Sequence, residues 1–128
     1  MRIPTVAIAL VFASGAAFAD PVEGLWKTQP DDRGNFGHVE IYSCGAAFCG
    51  VIRKAFDPKG AERPSDNIGK RMIWDMEPRE DGDYRGGKIW APDRDKTYSS
   101  LMSLEGDSLE VSGCVLGICR GQTWSRVR

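Results

Sequence analysis

Tyr84-Arg85-Gly86-Gly87-Lys88-Ile89-Trp90-Ala91-Pro92-Asp93-Arg94-Asp95-Lys96-Thr97-Tyr98-Ser99-Ser100-Leu101-Met102-Ser103-Leu104-Glu105-Gly106-Asp107-Ser108-Leu109-Glu110-Val111 is the stretch on which the fold turns. Its runs from Tyr84 to Trp90, from Thr97 to Leu104 and from Leu109 onward carry the aromatic and branched residues that suit a pleated, half-buried surface. Tyr98, Met102 and Leu104 fall on one side of their run, the two-residue period of a strand. Between the runs, Pro92-Asp93-Arg94-Asp95 and Glu105-Gly106-Asp107 supply turn chemistry: proline presets φ, glycine tolerates positive φ, and aspartate bonds to nearby backbone. Strand, turn, strand, turn, strand is an antiparallel meander.

The same grammar extends in both directions. Upstream, Gly24–Thr28 precedes the turn cluster Asp31–Asn35, and His38–Tyr42 places Val39 and Ile41 on one face. Val51–Phe56 makes a return strand. Met72, Trp74 and Met76 then alternate with Ile73 and Asp75 before the hairpin turn Glu80-Asp81-Gly82-Asp83. Downstream, Leu109–Gly113 and Gln122–Val127 complete eight predicted strands. No window beyond residue 19 has a helical period. An open sheet of eight strands leaves two unpaired edges, and closure removes them. The predicted fold is therefore all-β, a small eight-stranded antiparallel up-and-down barrel, with a Greek-key sandwich as the alternative. The longest connection, Asp57–Arg71, is of a length often used for lids or binding loops.

The N-terminus reads as an export signal. Met1-Arg2 precedes a short apolar run that ends in Ala17-Phe18-Ala19 before Asp20, the pattern of a signal peptide cleaved after Ala19. The run is shorter than the ~20 apolar residues that cross a bilayer. The expected organisation is residues 1–19 as signal and residues 20–128 as one barrel domain, located in the periplasm or outside the cell, with no stable membrane anchor. Lys and Arg number 17 against 18 Asp and Glu, for a formal net charge of −1. The two signs are interspersed, which argues against a nucleic-acid partner.

All four cysteines lie after the signal, in two C-x4-C spans, Cys44–Cys49 and Cys114–Cys119. An even count in a short exported chain points to disulfides. Flanking strand-like sequence favours local pairing within each span, with cross-pairing between them also open. Zinc sites usually use tighter spacing, and redox pairs are more typically C-x-x-C.

Gly24-Leu25-Trp26-Lys27-Thr28, Val39-Glu40-Ile41-Tyr42, Gly86-Gly87-Lys88-Ile89, Leu104–Val111 and Gln122-Thr123-Trp124-Ser125-Arg126-Val127 together resemble the exported bacterial family known as domain of unknown function 2147. The resemblance covers essentially the whole chain after the signal. It implies a lipocalin-like (calycin) barrel and no established activity. Calycins also share a Gly-x-Trp on the first strand and a basic residue on the last, packed over the indole at the closed end. By that likeness Trp26 pairs with Arg126, or alternatively Arg128, as a structural barrel closure.

Catalytic chemistry finds little support. His38 is the only histidine and is out of phase with Val39 and Ile41, so it is expected to face solvent. An enzyme would need two or more of His38, Glu40, Arg53 and Asp75 to converge. Asp31-Asp32 and Glu80–Asp83 read as solvated turns rather than metal sites. The expectation is a non-enzymatic protein with no metal and no cofactor. Its candidate ligand-binding residues are Met72, Trp74, Met76, Trp90, Tyr98 and Met102, thioethers and aromatic faces suited to a small amphipathic molecule beneath a 57–71 lid. The alternative is a module that binds a periplasmic protein through its loops, with the interior packed solid.

Overall fold

The computed structural model describes residues 2–5 and 20–128. The expected signal segment and its cleavage point thus fall outside the described residues, residues 2–5 and Asp20 apart. The strands are β1 (Gly24–Lys27), β2 (Phe36–Cys44), β3 (Ala47–Phe56), β4 (Glu62–Arg63), β5 (Arg71–Pro78), β6 (Asp83–Ala91), β7 (Lys96–Glu105), β8 (Ser108–Val115) and β9 (Ile118–Arg126). Neighbours pair antiparallel in the order β2-β1-β9-β8-β7-β6-β5-β3, and β2 also pairs with β3. Eight strands therefore close on themselves, the predicted barrel. The two-residue β4 stands outside the ring, added to the end of β3 through Ala55↔Arg63 and Phe56↔Glu62.

One end of this barrel is plugged. Residues 20–23 fold under it, and the turns after β2, β5 and β7 lie there. Val22, Trp26, Ile41, Phe48, Met76, Tyr84, Met102 and Leu109 are buried in one cluster. The Asp20 carboxylate accepts from the Val22 amide and from the Tyr84 hydroxyl. Burial, then that carboxylate, pushes the Tyr84 phenol well above its ordinary pKa. The Trp26 indole N–H donates to the Val22 carbonyl at 2.9 Å.

The seam between first and last strands lies at this end. Trp26 and Arg126 are cross-strand partners, and the guanidinium sits 4.4 Å from the indole ring centre. Arg126 also donates to the carbonyls of Pro21 and Glu23 at 2.6 and 3.2 Å. Arg126 and Arg128 both donate to the Asp107 carboxylate, and Arg126 is the one that also covers the tryptophan. Gly24 is required beside it: its φ is +133°, and a Cβ there would lie 3.2 Å from the Arg126 guanidinium. The glycine and tryptophan of Gly-x-Trp thus serve one contact, the first by making room and the second by receiving the cation.

Each C-x4-C span forms a local disulfide, Cys44–Cys49 at the plugged end and Cys114–Cys119 at the other. Strict alternation fails in β5. Asp75 has a left-handed φ of 54°, and the pairing with β3 slips around Gly50. These irregularities put Met72, Ile73 and Met76 in the core and turn Trp74 outward, where it is half-buried under the Arg71 guanidinium. A bulge also interrupts β6 between Tyr84 and Gly87. A Cβ at Gly87 would come within 2.8 Å of the Met76 methyl, so this glycine is where Met76 lies across the sheet.

Residues 57–71 are not a free lid. Asp57 caps a turn by accepting from the Lys59 and Ala61 amides, and β4 returns along β3. Farther on, the Gly69 amide donates to the Ile52 carbonyl, and the Ile52 amide donates to the Lys70 carbonyl. Both limbs are tied to β3, and the segment walls one side of the open end.

Candidate functional site

Opposite the plug, the barrel opens into a cavity of about 760 Å³. On β8 and β9 the inward pairs are Leu109↔Trp124, Val111↔Gln122, Gly113↔Arg120 and Val115↔Ile118. The series ascends from packed to open. Leu109 and Trp124 are fully buried, and Gln122 is exposed although it faces inward. The cavity therefore extends down to the Trp124 ring, which closes the floor and whose indole N–H donates to the Gln122 side-chain oxygen at 3.1 Å. Gly113 leaves a gap in the wall where any larger residue would project.

Apolar side chains line the depth: Val39, Ile52, Met72, Ile89 and Val111. Polar groups gather toward the mouth, with Thr28, Gln29, Asn67, the cations Lys54, Arg63, Arg94 and Arg120, and the carboxylates Asp31 and Asp93. Lys54 has Glu62 at 3.8 Å and Arg94 has Asp93 at 3.9 Å. Arg63 and Arg120 have no carboxylate at ion-pair distance among the described residues. A pocket of this size, apolar below and polar above with four cations against two carboxylates, fits a ligand with an apolar body and a polar or anionic head.

Of the six residues the sequence pointed to, Met72, Trp90 and Tyr98 line this cavity. Trp90 stands at the rim, with its indole N–H on Asp95 at 2.8 Å. Met76 and Met102 are buried in the core and do not line the cavity. Trp74 faces away, for the reason given by the β5 bulge. Val39, Ile52, Ile89 and the β8–β9 wall from Gly113 to Gln122 were not singled out. Continuing the inward alternation of Leu109 and Val111 through Gly113 and Val115 would have found that wall.

The residues weighed for catalysis do not meet in the cavity. Arg53 and Glu40 form a 3.0 Å ion pair, and neither residue lines the cavity. Asp75 is exposed on the β5 bulge. His38 pairs with Lys27 and Lys54 across its neighbouring strands and packs on Phe56, ring centres 4.5 Å apart. Burial, then the charges of Lys54 and Lys27, lower its pKa, with Glu62 opposing. The folded protein therefore holds this proton less tightly than the unfolded chain does. His38 contributes stability present above the unfolded value of about 6.5 and lost as pH falls through the folded one. Thermal melts between pH 7.5 and 5.5 should show this decline, and His38→Gln should make it shallower. An unchanged slope would mean the histidine is not the group responsible.

A family model described as an uncharacterized protein conserved in bacteria, DUF2147, matches residues 24–126. The chain belongs to that family. For this DUF2147 member, no curated protein gives a match. Among solved structures it is similar to protein HP1028 from the human pathogen Helicobacter pylori, which is described as belonging to the lipocalin family. The two share 18% identity at a TM-score of 0.69, over 87% of this chain and 85% of that one. At that identity the likeness establishes the lipocalin-like barrel of the DUF2147 chain, and no more than the fold.

Proposed function

We propose that the protein is an exported, non-enzymatic carrier that takes one small amphipathic molecule into the open end of its barrel. It works in the periplasm or outside the cell. The observation that carries this reading is the open cavity, graded from the apolar floor at Trp124 to a polar rim where cations, Arg63 and Arg120 among them, outnumber the carboxylates Asp31 and Asp93. Eight strands are also the size at which a barrel can hold one small ligand, as lipocalins do. The ligand's apolar part lies against Ile52, Met72 and Ile89, and its head stays in reach of the rim arginines.

Titration with 1-anilinonaphthalene-8-sulfonate, itself an amphipathic anion, tests this. A saturable, one-site rise in fluorescence is expected, reversed by dodecanoate in competition. Native mass spectrometry of protein taken directly from its producing cells should show a bound species of small mass. A dye-silent protein that flies empty would remove the proposal.

A further inference from the structure

The β8–β9 hairpin ends in four residues, Val115-Leu116-Gly117-Ile118, that the barrel does not cover. Leu116 is 98% exposed and Ile118 is 71% exposed, with Val115 about half exposed. The tip projects from the open end, and its three aliphatic residues also line the cavity mouth. Folding alone does not account for a leucine here. Leu116 and Gly117 both have positive φ, 50° and 79°, in a two-residue turn where Asn-Gly is the favoured pair. A leucine in the left-handed region is strained. The Cys114–Cys119 disulfide directly beneath holds the tip in place.

Charge indicates what the tip meets. From Val111 to Arg128 the chain carries no acidic residue, and Arg120 flanks the tip without an ion-pair partner among the described residues. The acidic residues of the mouth, Asp31, Asp32 and Asp93, gather with Arg63 and Arg33 in a hollow of the rim whose lining does not include the tip. An apolar protrusion beside an unpaired arginine suits a bilayer with anionic headgroups, into whose interface aliphatic side chains sink while the arginine meets a phosphate. A second copy fits poorly, because a four-residue convex tip offers far less than the ~1,000 Å² a stable interface buries.

We infer that the disulfide-stapled Val115–Ile118 tip is a membrane-docking finger that seats the open end of the barrel on an anionic lipid surface. Docked in this way, the cavity mouth faces the bilayer, and Val115, Gly113, Val111 and Leu109 run in series along β8 from the tip toward the floor. The docking is independent of which molecule, if any, the cavity holds.

Co-sedimentation with vesicles tests it, using the protein as its cell processes it, with the N-terminus verified by mass spectrometry. The wild type should pellet with phosphatidylethanolamine–phosphatidylglycerol vesicles and several-fold less with pure phosphatidylcholine. Leu116→Asn, which suits the left-handed turn, and Ile118→Ser should each cut the pelleted fraction at least fivefold. Both should keep the wild-type circular dichroism spectrum and melting temperature. Absence of wild-type pelleting, or pelleting indifferent to both variants, would overturn the inference. So would a dimer by light scattering that both variants convert to monomer. Dye binding in vesicle-free solution reads the cavity separately, so the failure of one proposal is not mistaken for the failure of the other.

Discussion

Trp26→Ala should lower the melting temperature by at least about 12 °C, among the largest stability losses expected of a single substitution in this barrel. Truncating a buried tryptophan to alanine costs about 3–5 kcal/mol. In a domain near 100 residues each kcal/mol moves the melt by about 4–8 °C. Trp26 is fully buried, so the whole transfer and cavity cost applies. The loss also spreads beyond one side chain. The indole N–H holds the Val22 carbonyl, and the ring face carries Arg126, which in turn holds the carbonyls of Pro21 and Glu23. Removing the ring leaves residues 20–23 tied mainly through Asp20 and Arg126, so hydrogen exchange there should rise more than in β7. Arg126→Ala should act in the same direction, by about 2–4 kcal/mol, because a charge-assisted bond and a cation–π contact disappear together. If Trp26→Ala melted within a few degrees of wild type, the seam would not be what closes the barrel.

The legibility of these features in the sequence follows a physical division. Turns and alternation are local properties, so the hairpins at Gly106 and Gly82 and the eight strands of the ring could be read directly, and pairing within each C-x4-C span was favoured while cross-pairing stayed open. The seam needed more, since Trp26 and Arg126 are at opposite ends of the chain. It was legible only because the residues resemble a family in which such a contact recurs. Bulges were not legible. Nothing in Met72-Ile73-Trp74-Asp75-Met76 announces that Asp75 adopts positive φ or that the pairing with β3 slips around Gly50, the two irregularities with which Trp74 leaves the interior. Nor was the two-residue β4, because Glu62-Arg63 has no strand pattern and pairs only as an extension of β3. The cavity was hardest, because a void is a difference between enclosed and filled volume. The residues that make it, Gly113 and Gln122, are conspicuous only once their inward positions are known. Three of the six residues chosen for their chemistry nonetheless line it, since large apolar side chains near the open end have few other places to go.

Gly113→Phe should abolish most ligand binding while leaving the barrel intact, and these two readouts together locate the site. Gly113 faces the cavity at mid-depth, opposite Arg120 on β9. A Cβ at this position would meet the Tyr98 Cβ at 3.5 Å and the Ile89 methyl at 3.6 Å, ordinary contacts that require no rearrangement. The ring must then extend into the open volume above Trp124, where the apolar part of a ligand would lie. Dye affinity should fall at least about tenfold, equivalent to about 1.4 kcal/mol of binding free energy. Stability should hold or rise. Replacing glycine in a strand restricts the unfolded chain, and the new ring covers apolar surface that water now reaches. A variant that merely misfolded would lose binding and stability together, whereas a filled cavity separates them. Full dye affinity in a well-folded Gly113→Phe protein would place the dye somewhere other than the barrel interior, and the carrier reading would lose its only site.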